Sequence, residues 1–355
     1  MKTLRLTVDP EKLDSPDAGQ ALDQAAAILR RGGLVALPTE TVYGLGANAL
    51  DEAAVQRIFA AKQRPEWDPV IVHISGESML DGLVAEVPEA ASKLMKAFWP
   101  GPLTLLLPRS GAIPAAVTAG RPLVGVRMPA HPVALELIRR AGVPVAAPSA
   151  NVFGHISPTT AAHVLQDLDG RIDAVLDAGP AVHGVESTVL DPCQSPMIIY
   201  RPGAVTCAQV LEAAGPVEIF RSKGELVETP RQALPSPGVG LRHYAPRARL
   251  VLVEGSESEI SLRLAEAASG RRIETLGIML PADASLPEAL AGAKVFSWGR
   301  WSAPRELARA LYAGLRELDA RGCTTILCPL PAAEGIGAAI RDRLLKAGKR
   351  AIVEQ

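Results

Sequence analysis

The stretch that decides the fold is residues 33–46, GLVALPTETVYGLG. Residues 34–37 form an apolar run that is typical of a buried strand. The run breaks at Pro38 into the polar triplet Thr39-Glu40-Thr41, and we expect Tyr43-Gly44-Leu45-Gly46 to form a turn behind it. A rigid strand end, directional hydroxyls and glycines that admit a ligand close to the backbone together suit a binding site. On this stretch alone, a plain strand–turn connection is an equally good interpretation.

Composition limits the class of protein. The chain has 355 residues, which favours about two domains with ample core. Its hydrophobic and charged fractions, 48% and 21%, are those of a soluble globular protein. A net charge of -1 speaks against a uniformly basic nucleic-acid binder and stays compatible with a local basic cleft. The first residues are too charged for a signal peptide, and no apolar run approaches the length that spans a bilayer, so we expect a cytoplasmic protein with no membrane partner.

The four cysteines do not indicate a metal site. Cys193, Cys207, Cys323 and Cys328 form no Cys-x-x-Cys pair and have no histidines at zinc-finger spacing. We expect them to be reduced, buried thiols, and we predict no metal site built from protein side chains.

Helical and strand patterns alternate along the whole chain, which predicts an α/β or α+β layered fold. Up to residue 214 the patterns are strong. Residues 222–246 are polar and rich in Pro and Gly, as linkers are. A second series of strands and helices follows and predicts a small Rossmann-like α/β domain, without the Gly-x-Gly-x-x-Gly of a dinucleotide site. The predicted division is a catalytic domain over 1–214, a linker over 215–246 and a C-terminal domain over 247–355.

Two cations close a predicted helix, Asp51 to Lys62, in the sequence Lys62-Gln63-Arg64-Pro65. A lysine and an arginine two positions apart can both reach one phosphate chain, the first as a point charge and the second as a planar fork. Basic residues are also common in a solvated last turn, where they favour the helix dipole, and in isolation that interpretation is the stronger one.

Three further basic residues interrupt or close apolar strands: His73, Arg127 and Arg201. A charged side chain in such a place must be paired or must face a cleft. His73 by itself is best explained as a satisfied core histidine. Arg127 is more informative, because a buried guanidinium without a partner is costly and a ligand carboxylate would be a suitable partner.

Hydroxyl and amide side chains recur at the ends of other predicted elements. They are Ser149 and Asn151, the triplet Ser157-Pro158-Thr159, and the pair Ser187-Thr188. Such donors line phosphate and amino-acid sites, but they also serve as ordinary helix caps, and Ser157 or Thr159 is a candidate cap for a helix near Ala161. No Ser-His-Asp arrangement and no Walker sequence is legible. A cationic, hydroxylic set without a nucleophile fits phosphate or adenylate chemistry that works by positioning and electrostatics.

This set of motifs resembles the YrdC-like family, in the long two-domain form of the threonylcarbamoyl-AMP synthases. The motifs stand in the family's order and cover nearly the whole chain. They are Pro38-Thr39-Glu40-Thr41-Val42-Tyr43-Gly44-Leu45, Lys62-Gln63-Arg64-Pro65, Trp99-Pro100-Gly101-Pro102-Leu103-Thr104, Arg127-Met128-Pro129, Pro148-Ser149-Ala150-Asn151, Ser157-Pro158-Thr159, Ser187-Thr188-Val189, Arg201-Pro202-Gly203, the linker sequence Ser236-Pro237-Gly238 with His243-Tyr244-Ala245-Pro246, and a C-terminal run over residues 335–344.

The resemblance implies a fold and a reaction. The fold is a twisted sheet with flanking helices and a basic concave cleft, joined to the smaller domain. The reaction makes threonylcarbamoyl-AMP and pyrophosphate from L-threonine, bicarbonate or CO₂, and ATP. The product would pass to separate proteins that complete threonylcarbamoyladenosine on tRNA, so contact with tRNA itself is not required. Mg²⁺ is the expected cofactor, bound mainly through the ATP phosphates.

The resemblance also assigns roles to residues by motif position. The L-threonine-binding set is Thr41, His73, Arg127, Ala147 through its backbone, and Ser187. The ATP-binding set is Lys62, Arg64, Asp68, Leu123 through its backbone, Ser149, Asn151, Ser157, Arg201 and Tyr244, the last reaching back from the linker. Asp68 departs from the family, which usually has Asn there, and a carboxylate near a triphosphate would repel it unless a metal lies between. We interpret Glu40 as structural, because a free carboxylate would repel both substrates.

Two other classes of function compete with this one. An RNA-binding module could use the same basic cleft; a near-zero net charge speaks against it, and an RNA affinity that falls steeply with salt would support it. A carbamoyl transferase of hydrogenase maturation shares the domain type, but it requires zinc-finger cysteines, which the chain lacks.

Overall fold

A computed structural model describes residues 2–220, 236 and 243–350, with side chains as far as Gly348. Most of the predicted linker, including Pro237-Gly238, therefore lies outside the described residues. The described chain divides into two compact units. The first holds residues 2–153, 157–182 and 186–220, and the second holds residues 154–156, 183–185 and 243–350.

The first unit is an eleven-stranded sheet with flanking helices. Its elements in chain order are β1 Leu4–Thr7, α1 Pro16–Arg30, β2 Val35–Leu37, β3 Gly44–Asn48, α2 Glu52–Lys62, β4 Ile71–His73, α3 Glu89–Phe98, β5 Leu103–Pro108, α4 Ala115–Thr118, β6 Leu123–Arg127, α5 Pro132–Ala141, β7 Val145–Ala146, α6 Ala161–Leu168, β8 Ala174–Asp177, β9 Thr188–Asp191, β10 Met197–Arg201, α7 Cys207–Ala214 and β11 Val217–Ile219.

The sheet is mixed, in the order β1-β8-β2-β3-β7-β4-β6-β5-β9-β10-β11. The α/β prediction is thus confirmed, and strict parallel winding is absent, since β2 pairs antiparallel with β3 while β4 pairs parallel with β6. Alternate residues of β2 face opposite sides of the sheet: Ala36 packs in one apolar cluster, and Val35 and Leu37 in another. Core therefore lies on both faces, and the strand ends are left for polar groups.

The predicted turn at Tyr43-Gly44-Leu45-Gly46 is wrong. The segment from Gly44 onward is strand β3, hydrogen-bonded to β2 on one side and β7 on the other. Gly46 is there for close packing, because a Cβ at this position would lie 2.8 Å from both a Leu37 methyl and a Val145 methyl. Glycine in a strand marks a close approach as readily as a turn.

Helix starts follow the sequence signals closely. Ser15 and Asp51 cap α1 and α2, since their side chains accept main-chain N–H groups of the first turn. The cap of α6 is neither Ser157 nor Thr159 but Thr160, whose hydroxyl accepts the His163 N–H at 3.2 Å.

The second unit is a five-stranded, wholly parallel sheet in the order β14-β13-β15-β12-β16. Its elements are β12 Arg249–Val253, α8 Ile260–Ala268, β13 Leu276–Leu280, β14 Lys294–Ser297, α9 Pro304–Ala320, β15 Thr325–Pro329, α10 Gly337–Ala347 and β16 Lys349–Arg350. Parallel strands with intervening helices agree with the predicted small α/β unit.

The cysteines are only partly as expected. Cys323 and Cys328 are buried, but Cys193 is exposed and Cys207 half-buried, because the first lies in the turn after β9 and the second opens α7. All four are free thiols. Within the described ranges, no helix is both long and apolar enough to cross a membrane.

Candidate functional site

The ends of two parallel strands bring His73 and Arg127 together. The register of β4 against β6 pairs Ile71 with Gly125 and His73 with Arg127, so both basic residues stand at the carboxyl ends of adjacent strands. Both are buried, at 3% exposure each. Burial, and then the Arg127 charge, lower the pKa of His73 to about 3. His73 is therefore a neutral imidazole, and Arg127 carries the positive charge.

The triplet after β2 closes on Arg127. Thr39 Oγ1 accepts the main-chain N–H groups of Thr41 and Val42 at 3.3 and 3.2 Å, which folds the triplet into a tight loop. The same hydroxyl lies 2.8 Å from Thr41 Oγ1. Arg127 Nη1 donates to Thr41 Oγ1 at 2.9 Å, so two predicted threonine-binding residues are in direct contact.

Glu40 supplies the counter-charge. Its Oε1 lies 2.6 Å from Arg127 Nη2, and the two side chains are 8% and 4% exposed. Burial acts to raise the pKa of Glu40, but the charge and hydrogen bonding of Arg127 outweigh it and the pKa is lowered. Arg127 Nε donates to the Gly101 carbonyl at 3.1 Å. All three nitrogens of the guanidinium thus have a protein contact, to Glu40, Thr41 and Gly101.

Lys62 is buried at 1% exposure, contrary to a solvated helix end. Its ammonium donates to the Ser149 carbonyl and, at 2.6 Å, to the Asn151 carbonyl. Burial, and then the neighbouring Arg64, lower the pKa of Lys62 well below its usual range. A lysine in this state favours an anion beside it, since a phosphate would offset the cost of its charge.

Arg64 and Asp68 form a second buried pair. Arg64 Nη2 lies 2.9 Å from Asp68 Oδ2, and its Nε and Nη2 donate to the carbonyls of Asp68 and Pro69 at 3.1 and 2.7 Å. The guanidinium carbon also lies 5.8 Å from the Phe153 ring centre. Burial raises the pKa of Asp68, against the lowering effect of Arg64, Lys62 and Arg201. Asp68 is the acidic member of this cationic group.

Ser187 and Arg201 meet at the start of β9 and the end of β10. Arg201 donates to the Ser187 carbonyl from Nε and to its Oγ from Nη2, both at 3.0 Å. Thr104 Oγ1 lies 2.8 Å from Ser187 Oγ. The turn after Arg201 needs Gly203, because a Cβ there would lie 2.3 Å from the Thr188 nitrogen. Arg201 is also among the charges that act on Asp68, which links this group to Lys62 and Arg64.

The Ser149 loop is fastened to the opening stretch. The N–H of Leu45 donates to the Pro148 carbonyl at 2.7 Å, and the N–H of Ala150 donates to the Tyr43 carbonyl at 2.8 Å. Asn151 Nδ2 donates to the Val152 carbonyl at 2.7 Å. Ser157 Oγ donates to Glu186 Oε1 at 2.5 Å, next to Ser187 in sequence.

The two predicted backbone contacts lie on strands of the same sheet. Ala147 lies one residue past β7, and its N–H donates to the Ile71 carbonyl at 2.8 Å. Leu123 opens β6, at the opposite end of that strand from Arg127, and packs with Ile71, Leu106 and Val189. The role of the Leu123 backbone in binding ATP stays a prediction.

Tyr244 belongs to the second unit and is described there. It is 5% exposed and has a positive φ of 63°. Its ring stacks on Tyr312 of α9, with centres 5.8 Å apart, and the Arg343 guanidinium carbon of α10 lies 5.4 Å from its ring centre. Its predicted contact with ATP stays a prediction.

Sequence reasoning missed three contributors to the site. Thr104, Gly101 and Glu186 hold Ser187, Arg127 and Ser157 respectively. Thr104 gave a usable signal, since it is a hydroxyl inside the apolar strand Leu103–Pro108. Gly101 stands in the Trp99–Thr104 motif but contributes only a carbonyl, and Glu186 only precedes the Ser187 motif, so neither side chain indicated a role. Among the described residues, no group of three or more His, Cys, Asp or Glu could hold a metal ion.

Known proteins share this arrangement of strands and motifs. A family model described as "Telomere recombination" matches residues 27–203, and one described as "Threonylcarbamoyl-AMP synthase, C-terminal domain" matches residues 205–348. A threonylcarbamoyl-AMP synthase of Bacillus subtilis is 43% identical, over 98% of this chain and 98% of its own. The chain belongs to the threonylcarbamoyl-AMP synthase family.

Other members of the family agree along the full length. The threonylcarbamoyl-AMP synthase of Pyrococcus abyssi is 42% identical, over 93% of this chain and 94% of its own. A crystal structure of P. abyssi Sua5 complexed with L-threonine superposes with a TM-score of 0.88 at 40% identity, covering 97% of each chain. Both units of this chain therefore have counterparts in one and the same relative.

Proposed function

We propose that this chain is an L-threonylcarbamoyladenylate synthase, a nucleotidyltransferase that makes threonylcarbamoyl-AMP and pyrophosphate from L-threonine, bicarbonate and ATP. The observation that carries the proposal is the family membership joined to the two buried groups of the first unit. One group is built on Arg127 and suits an amino-acid carboxylate, and the other is built on Lys62 and Arg64 and suits a phosphate chain.

The amino-acid half of the proposal rests on Thr41, His73, Arg127, Ala147 and Ser187. Arg127 would bind the carboxylate of threonine, with Thr41 and the neutral His73 beside it. The hydroxyl of Ser187 and the backbone at Ala147 complete the set. Burial of these groups excludes water, which would protect the reactive carbamate and its adenylate from side reactions such as hydrolysis.

The nucleotide half rests on Lys62, Arg64, Asp68, Leu123, Ser149, Asn151, Ser157, Arg201 and Tyr244. Lys62, Arg64 and Arg201 would stabilise the triphosphate and the charge that develops when the carbamate attacks the α-phosphate. The threonine amine, after losing a proton, adds to CO₂, which bicarbonate yields with the release of water. The carbamate oxygen then attacks the α-phosphorus, which forms the mixed anhydride to AMP and displaces pyrophosphate. No covalent intermediate with the protein is needed.

Mg²⁺ is the metal that we propose for this site. The described residues fit a metal bound mainly through ATP, because Asp68 is the candidate carboxylate and no group of three or more His, Cys, Asp or Glu among them forms a cage. Bound there, Mg²⁺ would neutralise phosphate charge. Asp68 itself would hold Arg64 and supply an oxygen to the metal or to its water.

The proposal extends to partners, place and domain division. The product would be passed to the proteins that transfer threonylcarbamoyl to tRNA, and direct contact with tRNA is not needed. The site of action would be the cytoplasm. The division into residues 1–214, 215–246 and 247–355 remains our proposal for the catalytic domain, linker and C-terminal domain.

The test supplies purified protein with ATP, bicarbonate and Mg²⁺, and measures pyrophosphate release with and without L-threonine. We expect release that depends on threonine and on bicarbonate. Its absence in a preparation that binds ATP would contradict the proposal. RNA affinity that falls steeply with salt, without any pyrophosphate release, would favour the RNA-binding alternative.

A further inference from the structure

Glu40 occupies a position that the proposed function leaves without a task. Its carboxylate is buried beside Arg127, at the strand end where the amino acid is proposed to bind. The main-chain N–H groups of Ala130 and of Glu40 itself help to lower its pKa. A carboxylate has about four acceptor positions on its two oxygens, and the Arg127 contact with these two N–H groups does not fill them all. A buried carboxylate with unused acceptor capacity needs an explanation.

The charges around Glu40 sum to zero. Arg127 and Glu40 offset each other, and His73 is neutral because burial and Arg127 lower its pKa to about 3. Burial also lowers the pKa of the nearby His131. A lone anion that enters such a pocket would leave one buried charge without a partner, and a lone cation would do the same with the opposite sign.

A zwitterion avoids this cost. Its carboxylate can approach the guanidinium while its ammonium donates to the free acceptor positions of the carboxylate. Thr41 and Gly101 already hold Arg127 in place. The guanidinium therefore keeps its orientation while it contacts both Glu40 and the carboxylate of the bound amino acid. The ion pair at 2.6 Å thus offers both charges of an amino acid a partner on adjacent groups.

We propose that Glu40 is a positioning residue: it orients Arg127 and makes the amino-acid subsite select a zwitterion over a carboxylate that lacks the ammonium group. This inference rests on the proposed binding of L-threonine in the first unit. It gives Glu40 a part in choosing the substrate, beyond supporting the fold.

The test compares three ligands in the unmodified protein by calorimetry. They are L-threonine, (R)-3-hydroxybutanoate, which lacks the ammonium, and L-threoninol, which lacks the carboxylate. We expect each analogue to bind roughly tenfold or more weakly than threonine, the loss typical of a charged hydrogen-bond partner. An affinity for (R)-3-hydroxybutanoate within about threefold of that for threonine would overturn the inference.

Variants then separate selection from structural support. Glu40→Gln should weaken threonine about tenfold or more while (R)-3-hydroxybutanoate binds as well as before or better, because the Arg127 charge is no longer offset. Glu40→Asp keeps the charge and should retain preference for threonine. The matched control is Glu136→Gln on α5, which weakens ion pairs with Arg139 and Arg140 and should leave both affinities unchanged. Equal losses for both ligands in Glu40→Gln would show a merely structural role.

The two proposals fail in different ways. If the unmodified protein binds ATP but no threonine, the proposed function is wrong. If it binds threonine and forms product but does not distinguish (R)-3-hydroxybutanoate from threonine, only the role of Glu40 is wrong. Should Glu40→Gln fail to fold, the ligand comparison in the unmodified protein decides alone.

Discussion

Arg64 and Asp68, four positions apart in the sequence, form a buried ion pair. Nη2 lies 2.9 Å from Oδ2, and the side chains are 5% and 0% exposed. The pair restrains Arg64 before any ligand arrives. It also places a negative charge in the cationic group proposed to bind the triphosphate.

Asp68→Asn tests what this negative charge does to ATP binding. Removing the carboxylate charge should tighten ATP binding about three- to tenfold in excess EDTA, because the phosphates no longer face an anion. Calorimetry measures the change. Asp23→Asn, at an exposed pair with Arg140, is the matched control and should have no effect. Weaker ATP binding with EDTA would show that Asp68 is needed to hold Arg64, and weaker binding with Mg²⁺ alone would support a contact to the metal.

Arg127→Ala should weaken L-threonine far more than ATP, by about a hundredfold against less than about threefold. The guanidinium holds Thr41 and balances Glu40, and its loss removes the proposed carboxylate partner. Arg127→Lys keeps the charge without the planar fork and should lose less. Arg139→Ala, at an exposed arginine, serves as the control. Equal losses for both ligands would refute the assigned role.

Lys62→Met should weaken ATP binding more than threonine binding, the reverse of Arg127→Ala. The variant keeps much of the side-chain volume and removes the charge, so we expect ATP to bind about tenfold or more weakly and threonine to change little. The carbonyls of Ser149 and Asn151 lose their donor, which should cost about 1–3 kcal/mol of stability. Lys93→Met, at an exposed lysine of α3, is the control. Unchanged ATP affinity would mean that Lys62 only supports the loop.

The lowered pKa of His73 should make the stability of the folded protein depend on pH. This pKa is lowered from 6.5 to about 3, first by burial. Below pH 6.5 the unfolded chain takes up a proton at this imidazole and the folded chain does not, so stability falls as pH falls towards about 3. The unmodified protein should lose up to about 1.4 kcal/mol per pH unit more than His73→Gln over that window. Urea unfolding from neutral to acid pH measures both slopes. Parallel slopes would contradict a buried neutral imidazole.

Local signals in the sequence predicted most of the first unit's elements. The apolar run over residues 34–37 marked β2, and the helical pattern from Asp51 to Lys62 marked α2, because these depend on neighbours within a few positions. The glycines of β3 led to the wrong prediction of a turn, since a close approach between strands and a turn both favour glycine. Only the position of Val145 in space distinguishes the two cases.

The site was predictable as a set of residues but not as a set of pairs. Lys62 was best explained alone as a solvated helix end. Its burial depends on the carbonyls of Ser149 and Asn151, 87 and 89 residues away in sequence. The pairing of Glu40 with Arg127 likewise depends on the sheet order, which brings the loop after β2 to the carboxyl end of β6 and which no local pattern contains. Long-range register decided what the motifs alone could not.

The most direct test of the central claim follows the carbon of bicarbonate. Purified protein is incubated with L-threonine, ATP, Mg²⁺ and ¹³C-bicarbonate, and the nucleotide products are separated and weighed by mass spectrometry. We expect threonylcarbamoyl-AMP that carries one ¹³C, together with pyrophosphate. We expect neither product from Arg127→Ala at a threonine concentration that saturates the unmodified protein. Release of AMP and pyrophosphate without a labelled threonine adduct would contradict the central claim.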